Sequence, residues 1–196
     1  VTAAMFWVAG LRKRVFVFFA LLGVGAVLLA YPHLKPHQKE RIQTFFHPEA
    51  DLRGAGWNIF QAKTTLGSGE LTGKGWGKGT QTQFRFLPEF HTDFIFPTVG
   101  EQFGLVGCLA VAGLFALLIW RMAFLAARSQ DVFGVLIITG LATMLATHII
   151  QNIGMVMGLL PITGLPLPFF SYGGSYMLTC LAAIGLTLGI GARRGL

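Results

Sequence analysis

Four apolar runs constrain this chain more than any other feature. Val15–Tyr31, Phe103–Trp120, Val132–Ile150 and Tyr176–Ala192 contain no Lys, Arg, Asp or Glu. Each is near the roughly 20 residues that an α-helix needs to cross the hydrocarbon of a bilayer. None resembles a signal peptide with a small-residue cleavage site, so they belong to the fold. Only 12% of the residues are charged, 54% are hydrophobic and the mean hydropathy is +0.64, values of an integral membrane protein. The expected fold is an all-α polytopic membrane protein forming a single integral membrane domain over 1–196. Its helices are expected over 15–31, 103–120, 132–153 and 176–192, with a large loop at 32–100 and a second loop at 156–174.

The net charge is +7 and the isoelectric point about 9.9. Topology explains this better than a nucleic-acid partner. Arg12, Lys13 and Arg14 precede the first run, Arg121 and Arg128 follow the second, and Arg193 and Arg194 follow the fourth. All three clusters fall on one side if every run crosses once, as the positive-inside rule expects. The loops 32–100 and 156–174 then face outward. Cys108 and Cys180 lie inside runs and read as small buried thiols rather than a disulfide framework or metal site. The apolar stub Val1–Leu11 looks like the end of an earlier helix, which predicts the C-terminal part of a larger protein.

Within the large loop, His33 and His37 have helical ligand spacing, but Pro32 and Pro36 argue against a helix through both. Lys39–Asp51 alternates charge with Ile42, Phe45 and Phe46; a surface helix and a partly buried loop explain it equally well. Trp57–Lys63 reads as a short helix with interfacial aromatics.

The segment Leu66–Gly104 departs from the apolar pattern. Glycines 67, 69, 73, 75, 77 and 79 lead into it, with Lys74 and Lys78 between them. Irregular backbone cannot face lipid with its amides unpaired, so this segment belongs at the membrane boundary or in a polar cavity. The order of Gly and Lys fails the phosphate-loop pattern. On spacing alone, a flexible connecting loop is the simpler reading, although its amides and two ammonium groups could grip an anion. Downstream, Asp93 is a carboxylate among Phe90, Phe94 and Phe96. It could cap a helix beginning at Phe94, or carry chemistry. Thr98-Val99-Gly100-Glu101 fits a capping box, a role in which Glu101→Gln would lose little.

His148, Gln151 and Asn152 share one helix side, a spacing that suits interhelical hydrogen bonds or a cavity lining. Pro161, Pro166 and Pro168 break the apolar stretch from Met155 to Phe170 into a loop against protein. Ser171–Ser175 is a turn opening the last helix, able to cap it or bind a phosphate.

Several motifs together resemble the SEDS family, best known from RodA, FtsW and SpoVE. They are Gly73-Lys74-Gly75, Gly79-Thr80-Gln81, Phe86-Leu87-Pro88-Glu89, His91-Thr92-Asp93-Phe94-Ile95-Phe96, Gly154-Met155 and Pro166–Ser175. Gly79-Thr80-Gln81 followed by Phe86–Glu89 looks closer to the rod-shape (RodA) branch. The resemblance implies a ten-helix protein of which this chain supplies the last part. It implies a peptidoglycan glycosyltransferase that polymerises lipid II, an undecaprenyl-pyrophosphate-linked sugar, during cell-wall elongation. The implied setting is the bacterial plasma membrane, with the active loop on the extracytoplasmic face and a class B penicillin-binding protein as partner.

Asp93 matches the family's essential acid. The resemblance casts it as catalytic base or as ligand of a divalent cation (Mg or Mn), with no organic cofactor. Lys74, Lys78, Gln81, Glu89, His91, Thr92, Ser171 and Ser175 are the expected substrate-binding residues. The rival readings are a lipid II flippase and a non-catalytic scaffold for the transpeptidase. Among the apolar runs only the third holds an ionisable side chain, His148, which favours an enzyme over a transporter. Gly107, Ala110, Gly113, Gly140 and Ala142 are small residues along which a partner helix could pack.

Overall fold

The computed structural model describes residues 1–30, 54–84, 86 and 91–192. The stretch Lys39–Asp51, the histidines 33 and 37, Arg85, Glu89 and the last two arginines lie outside the described residues. Every described element is a helix: α1 (Thr2–Val8), α2 (Lys13–Ala30), α3 (Ala55–Gly67), α4 (Thr80–Gln83), α5 (Ile95–Ala127), α6 (Val132–Val156) and α7 (Gly174–Ala192).

Among the described residues three of them, α5, α6 and α7, are long and apolar enough to cross a membrane. The expected span over 15–31 forms α2, helical over its described part Lys13–Ala30. Leu105, Val106, Leu109, Leu114 and Leu117 are exposed along α5, as lipid-facing leucines and valines should be.

α5 packs most extensively on α6 and then on α3. One core cluster joins Phe94, Phe96, Cys108 and Phe115 to Ile149, Met155 and Leu167. A second, toward the other end, joins Met122 and Ala126 to Ile138, Leu145 and Cys180. Both cysteines are buried and unbridged. α6 starts on a true cap, for Asp131 Oδ1 accepts from Phe133 N at 3.1 Å and Oδ2 from Gly134 N at 3.2 Å. α1 packs on α6, and a side chain at Gly140 would stand 3.1 Å from Met5 Sδ. Ala142 is buried in the second cluster. Neither residue offers the open face that partner packing would require, whereas Gly113 meets nothing within 4 Å.

α5 is broken at Gly104, which adopts φ 65, ψ −163, a region that essentially only glycine enters. An unbroken helix would pair Leu105 N with Glu101 O and Val106 N with Gln102 O. Instead Lys74 N donates to Glu101 O at 2.9 Å and Gly75 N to Gln102 O at 3.0 Å. Leu105 N donates to Glu70 O at 2.9 Å and Val106 N to Leu71 O at 3.2 Å. The glycine-rich segment is therefore docked into the helix break, not a flexible connector.

The contact is too close for side chains. A Cβ at Gly73 would stand 2.2 Å from Gln102 O, one at Gly69 1.8 Å from Gly100 O, and one at Gly104 2.4 Å from Gly73 N. The helix begins at Ile95, so residues 95–100 of the expected loop are helical and the capping box at Thr98 does not form. The Thr98 hydroxyl is buried without a hydrogen-bond partner, and Glu101 turns to the docked segment instead.

Gly104→Ala should therefore destabilise the protein by more than the roughly 1–3 kcal/mol typical of a strained backbone, because its Cβ also meets backbone atoms. Gly113→Ala, in open space within the same helix, should be neutral or gain up to about 1 kcal/mol. Thermal unfolding of the purified protein in detergent compares the two; equal midpoints would contradict the docked arrangement.

Candidate active site

Three consecutive carbonyls hold the segment that enters α5. His91 O accepts from Tyr172 N at 2.8 Å. Thr92 O accepts from Ser171 Oγ at 2.6 Å, and Asp93 O from Asn152 Nδ2 at 2.9 Å. The donors come from α6 and from the loop before α7. Asn152 is fully buried and its Nδ2 also donates to Leu165 O at 2.8 Å, tying that loop to the same point. Ser171 Oγ accepts from Leu167 N at 2.7 Å while donating to Thr92. Phe169 turns the chain toward Ser171 with φ 64, a left-handed conformation that is costly for an aromatic residue.

Asp93 itself is half-buried. The capping position of α5 belongs to Phe94, whose ring has no acceptor, so the expected helix start at Phe94 with Asp93 as its cap residue is not what forms. A side chain at Gly164 would stand 3.2 Å from Asp93 Oδ2, so the loop before α7 passes close beside the carboxylate.

The expected substrate-binding residues divide into two groups. His91 and Lys78 are exposed, Thr92 is half-buried beside Asp93, and Ser175 is exposed at the start of α7. Three others are engaged within the protein. Lys74 Nζ pairs with Glu101 Oε1 at 3.0 Å and donates to Thr80 Oγ1 at 3.0 Å. Gln81 Oε1 accepts from Gln61 Nε2, and the Ser171 hydroxyl is buried in the loop frame.

Sequence reasoning assigned Glu101 a capping role, and the structure gives it another. Its carboxylate is fully buried and accepts from Gln81 N at 2.8 Å, Thr82 N at 3.1 Å and Thr82 Oγ1 at 2.7 Å, besides Lys74. A lone carboxylate followed by Gly104 at the edge of an apolar run was the available signal. Of the polar set on α6, His148 makes the expected interhelical contact, its Nδ1 2.8 Å from Tyr176 Oη of α7, whereas Gln151 Nε2 donates to the loop carbonyl Pro161 O at 3.0 Å and Asn152 to loop carbonyls.

A groove of about 730 Å³ runs from His91 along α5. Thr82, Thr98 and Gln102 give its start polar character, and Phe103, Ala110 and Val111 make the rest apolar. A cavity of about 610 Å³ at the opposite end of the helices has Asp131 as its carboxylate, and that residue caps α6. Of the expected site residues His91 lines the first groove, and Asp93 follows it by two residues in the segment that enters α5.

A family model described as "Cell cycle protein", covering FtsW, RodA and SpoVE, matches residues 1–194. The chain belongs to the FtsW/RodA/SpoVE family. Similar relatives include the peptidoglycan glycosyltransferase MrdB of Escherichia coli K12, 44% identical over 89% of this chain and 49% of that protein. The peptidoglycan glycosyltransferase RodA of Treponema pallidum is 42% identical over 88% of this chain and 40% of that protein. A solved peptidoglycan synthase complex, described as coordinating polymerization and crosslinking, superposes with a TM-score of 0.79. It is 31% identical and covers 97% of this chain and 52% of that one. The chain thus spans about half the length of the FtsW/RodA/SpoVE relatives it matches. As a member of that family with three apolar spans among its described residues, it is a multi-pass membrane protein.

Asn152 is the residue on which this frame converges. Asn152→Leu removes two buried donors, which should cost roughly 1–3 kcal/mol for each carbonyl left unpaired. A lowered unfolding midpoint for Asn152→Leu, with a much smaller change for the exposed Ser175→Ala, is the expected result of thermal denaturation.

Proposed function

We propose that this chain carries the reactive carboxylate of a peptidoglycan glycosyltransferase that polymerises lipid II at the extracytoplasmic face of the bacterial plasma membrane. The observation that carries the reading is Asp93. Its backbone is fixed by Asn152 and its neighbours by Ser171 and Tyr172, and it is half-buried near the end of a membrane-spanning helix. Rigid placement of a carboxylate at such a boundary suits chemistry on a head group presented at the membrane surface. The relatives named as peptidoglycan glycosyltransferases support the same activity.

In glycosyl transfer the acceptor hydroxyl loses its proton as its oxygen bonds to the anomeric carbon, and the bond from that carbon to the pyrophosphate oxygen breaks. In this reading Asp93 either takes the proton or holds the divalent cation that balances the leaving group. Lys78 and His91, exposed near the same end, can approach the departing pyrophosphate as it gains charge. A divalent cation, Mg or Mn, would neutralise that charge. Among the described residues no three His, Cys, Asp or Glu side chains gather, but a hard cation also binds through one carboxylate and substrate phosphates. Asp93 fits that single-carboxylate role. The partner we propose is a class B penicillin-binding protein, supported by the similarity to a complex that polymerises and crosslinks.

Asp93→Asn in the full-length protein should remain folded and bound to its transpeptidase, yet lose on the order of a hundred- to ten-thousand-fold in polymerisation rate. Polymer formed from purified lipid II, with thermal stability measured in parallel, is the test; near-normal synthesis would remove Asp93 from the chemistry. The topology is tested separately. A cysteine at the exposed Gln130, between α5 and α6, should resist an impermeant thiol reagent in intact cells, and labelling there would invert the proposed orientation.

A further inference from the structure

Glu101 takes no part in the chemistry proposed for Asp93, yet it is the one fully buried carboxylate among the described residues. Burying a carboxylate is costly unless it is paired and hydrogen-bonded. Every donor that meets this need comes from residues 74–82: Lys74 Nζ, Thr80 Oγ1 at 3.4 Å, Gln81 N, Thr82 N and Thr82 Oγ1. A Cβ at Gly79 would stand 2.5 Å from Glu101 Oε2, so the segment closes over the carboxylate as tightly as a chain can. Trp76, Gly77 and Thr82 of that segment also form one wall of the groove that starts at His91. The ring of Trp76 leans on Phe103 of α5, with centroids 5.7 Å apart, where the groove turns apolar.

We propose that Glu101 is a positioning residue for substrate binding, fixing residues 74–82 so that Trp76 and Thr82 form the groove wall. The proposal rests on the glycosyltransferase reading, in which the groove holds part of the lipid-linked sugar on its way to Asp93. Asp93 has separate anchors in Asn152 and the loop before α7. The two sides of the site are thus held independently. Loosening the Glu101 side should weaken substrate binding while leaving the reacting carboxylate in place. Binding lost equally from ground and transition states raises KM and leaves kcat unchanged.

The experiment measures polymer formation against lipid II concentration for the full-length complex with its transpeptidase. Glu101→Gln keeps the size and removes the charge; KM should rise roughly tenfold, the scale of a lost charged hydrogen bond, with kcat within about twofold. Lys74→Met removes one cation and leaves the amide bonds to Glu101; KM should rise roughly threefold. Glu101→Asp, which restores the charge on a shorter arm, should recover part of the loss. Partial misfolding would behave differently, lowering apparent kcat through the active fraction and leaving KM alone. A folded Glu101→Gln with unchanged KM overturns the proposal, and so does a loss confined to kcat. Should Glu101→Gln fail to fold, Lys74→Met decides by the same criterion. Absence of polymer from the wild-type complex would instead overturn the glycosyltransferase reading itself.

Discussion

The break in α5 at Gly104 is the constraint on which the rest of the structure depends. A helix interrupted near a membrane boundary exposes backbone amides and carbonyls that hydrocarbon cannot solvate. Here the two helical hydrogen bonds across the break are exchanged for four bonds to residues 70–75. The exchange requires backbone to approach backbone, and Gly69, Gly73 and Gly104 leave the room for it. A segment that composition marks as loose is in this way held as tightly as a helix.

The ion pair at Glu101 depends on that docking. The carboxylate sits one turn before the break and receives its donors only once the glycine-rich segment has come down onto α5. The segment in turn would be hard to hold there without a buried acceptor. Backbone exchange and charge pairing reinforce each other, and half-satisfied versions of either would leave costly unpaired groups. Lys74 belongs to this internal network, which leaves Lys78 as the exposed cation of the same segment.

On the other side of the site, α6 and the loop before α7 do the corresponding work for Asp93. One buried asparagine amide bridges two strands of irregular chain, and one serine hydroxyl bridges two more groups. Pro166 and Pro168, with buried Leu167 between them, hold the loop against protein where it would otherwise expose backbone to lipid.

The residues of α5, α6 and α7 determined their own helices, because long charge-free runs have no other way to satisfy their backbone in a bilayer. The family was legible too, since its motifs are local strings that keep their order. So was the polar face of His148, Gln151 and Asn152, whose helical spacing puts them on one side. What the sequence could not decide was partner choice across long separations. Thr98-Val99-Gly100-Glu101 has the local spacing of a capping box, but the helix starts one turn earlier. Glu101 then finds its donors some twenty residues upstream. The small residues Gly140 and Ala142 look like a docking face until α1 and the second core cluster cover them. Local sequence favours Asp93 as a helix cap, but the fold gives the capping position to Phe94 and ties the carbonyls of 91–93 to α6 and the loop before α7. Local spacing fixes which groups need partners; only the packed chain decides which distant groups supply them.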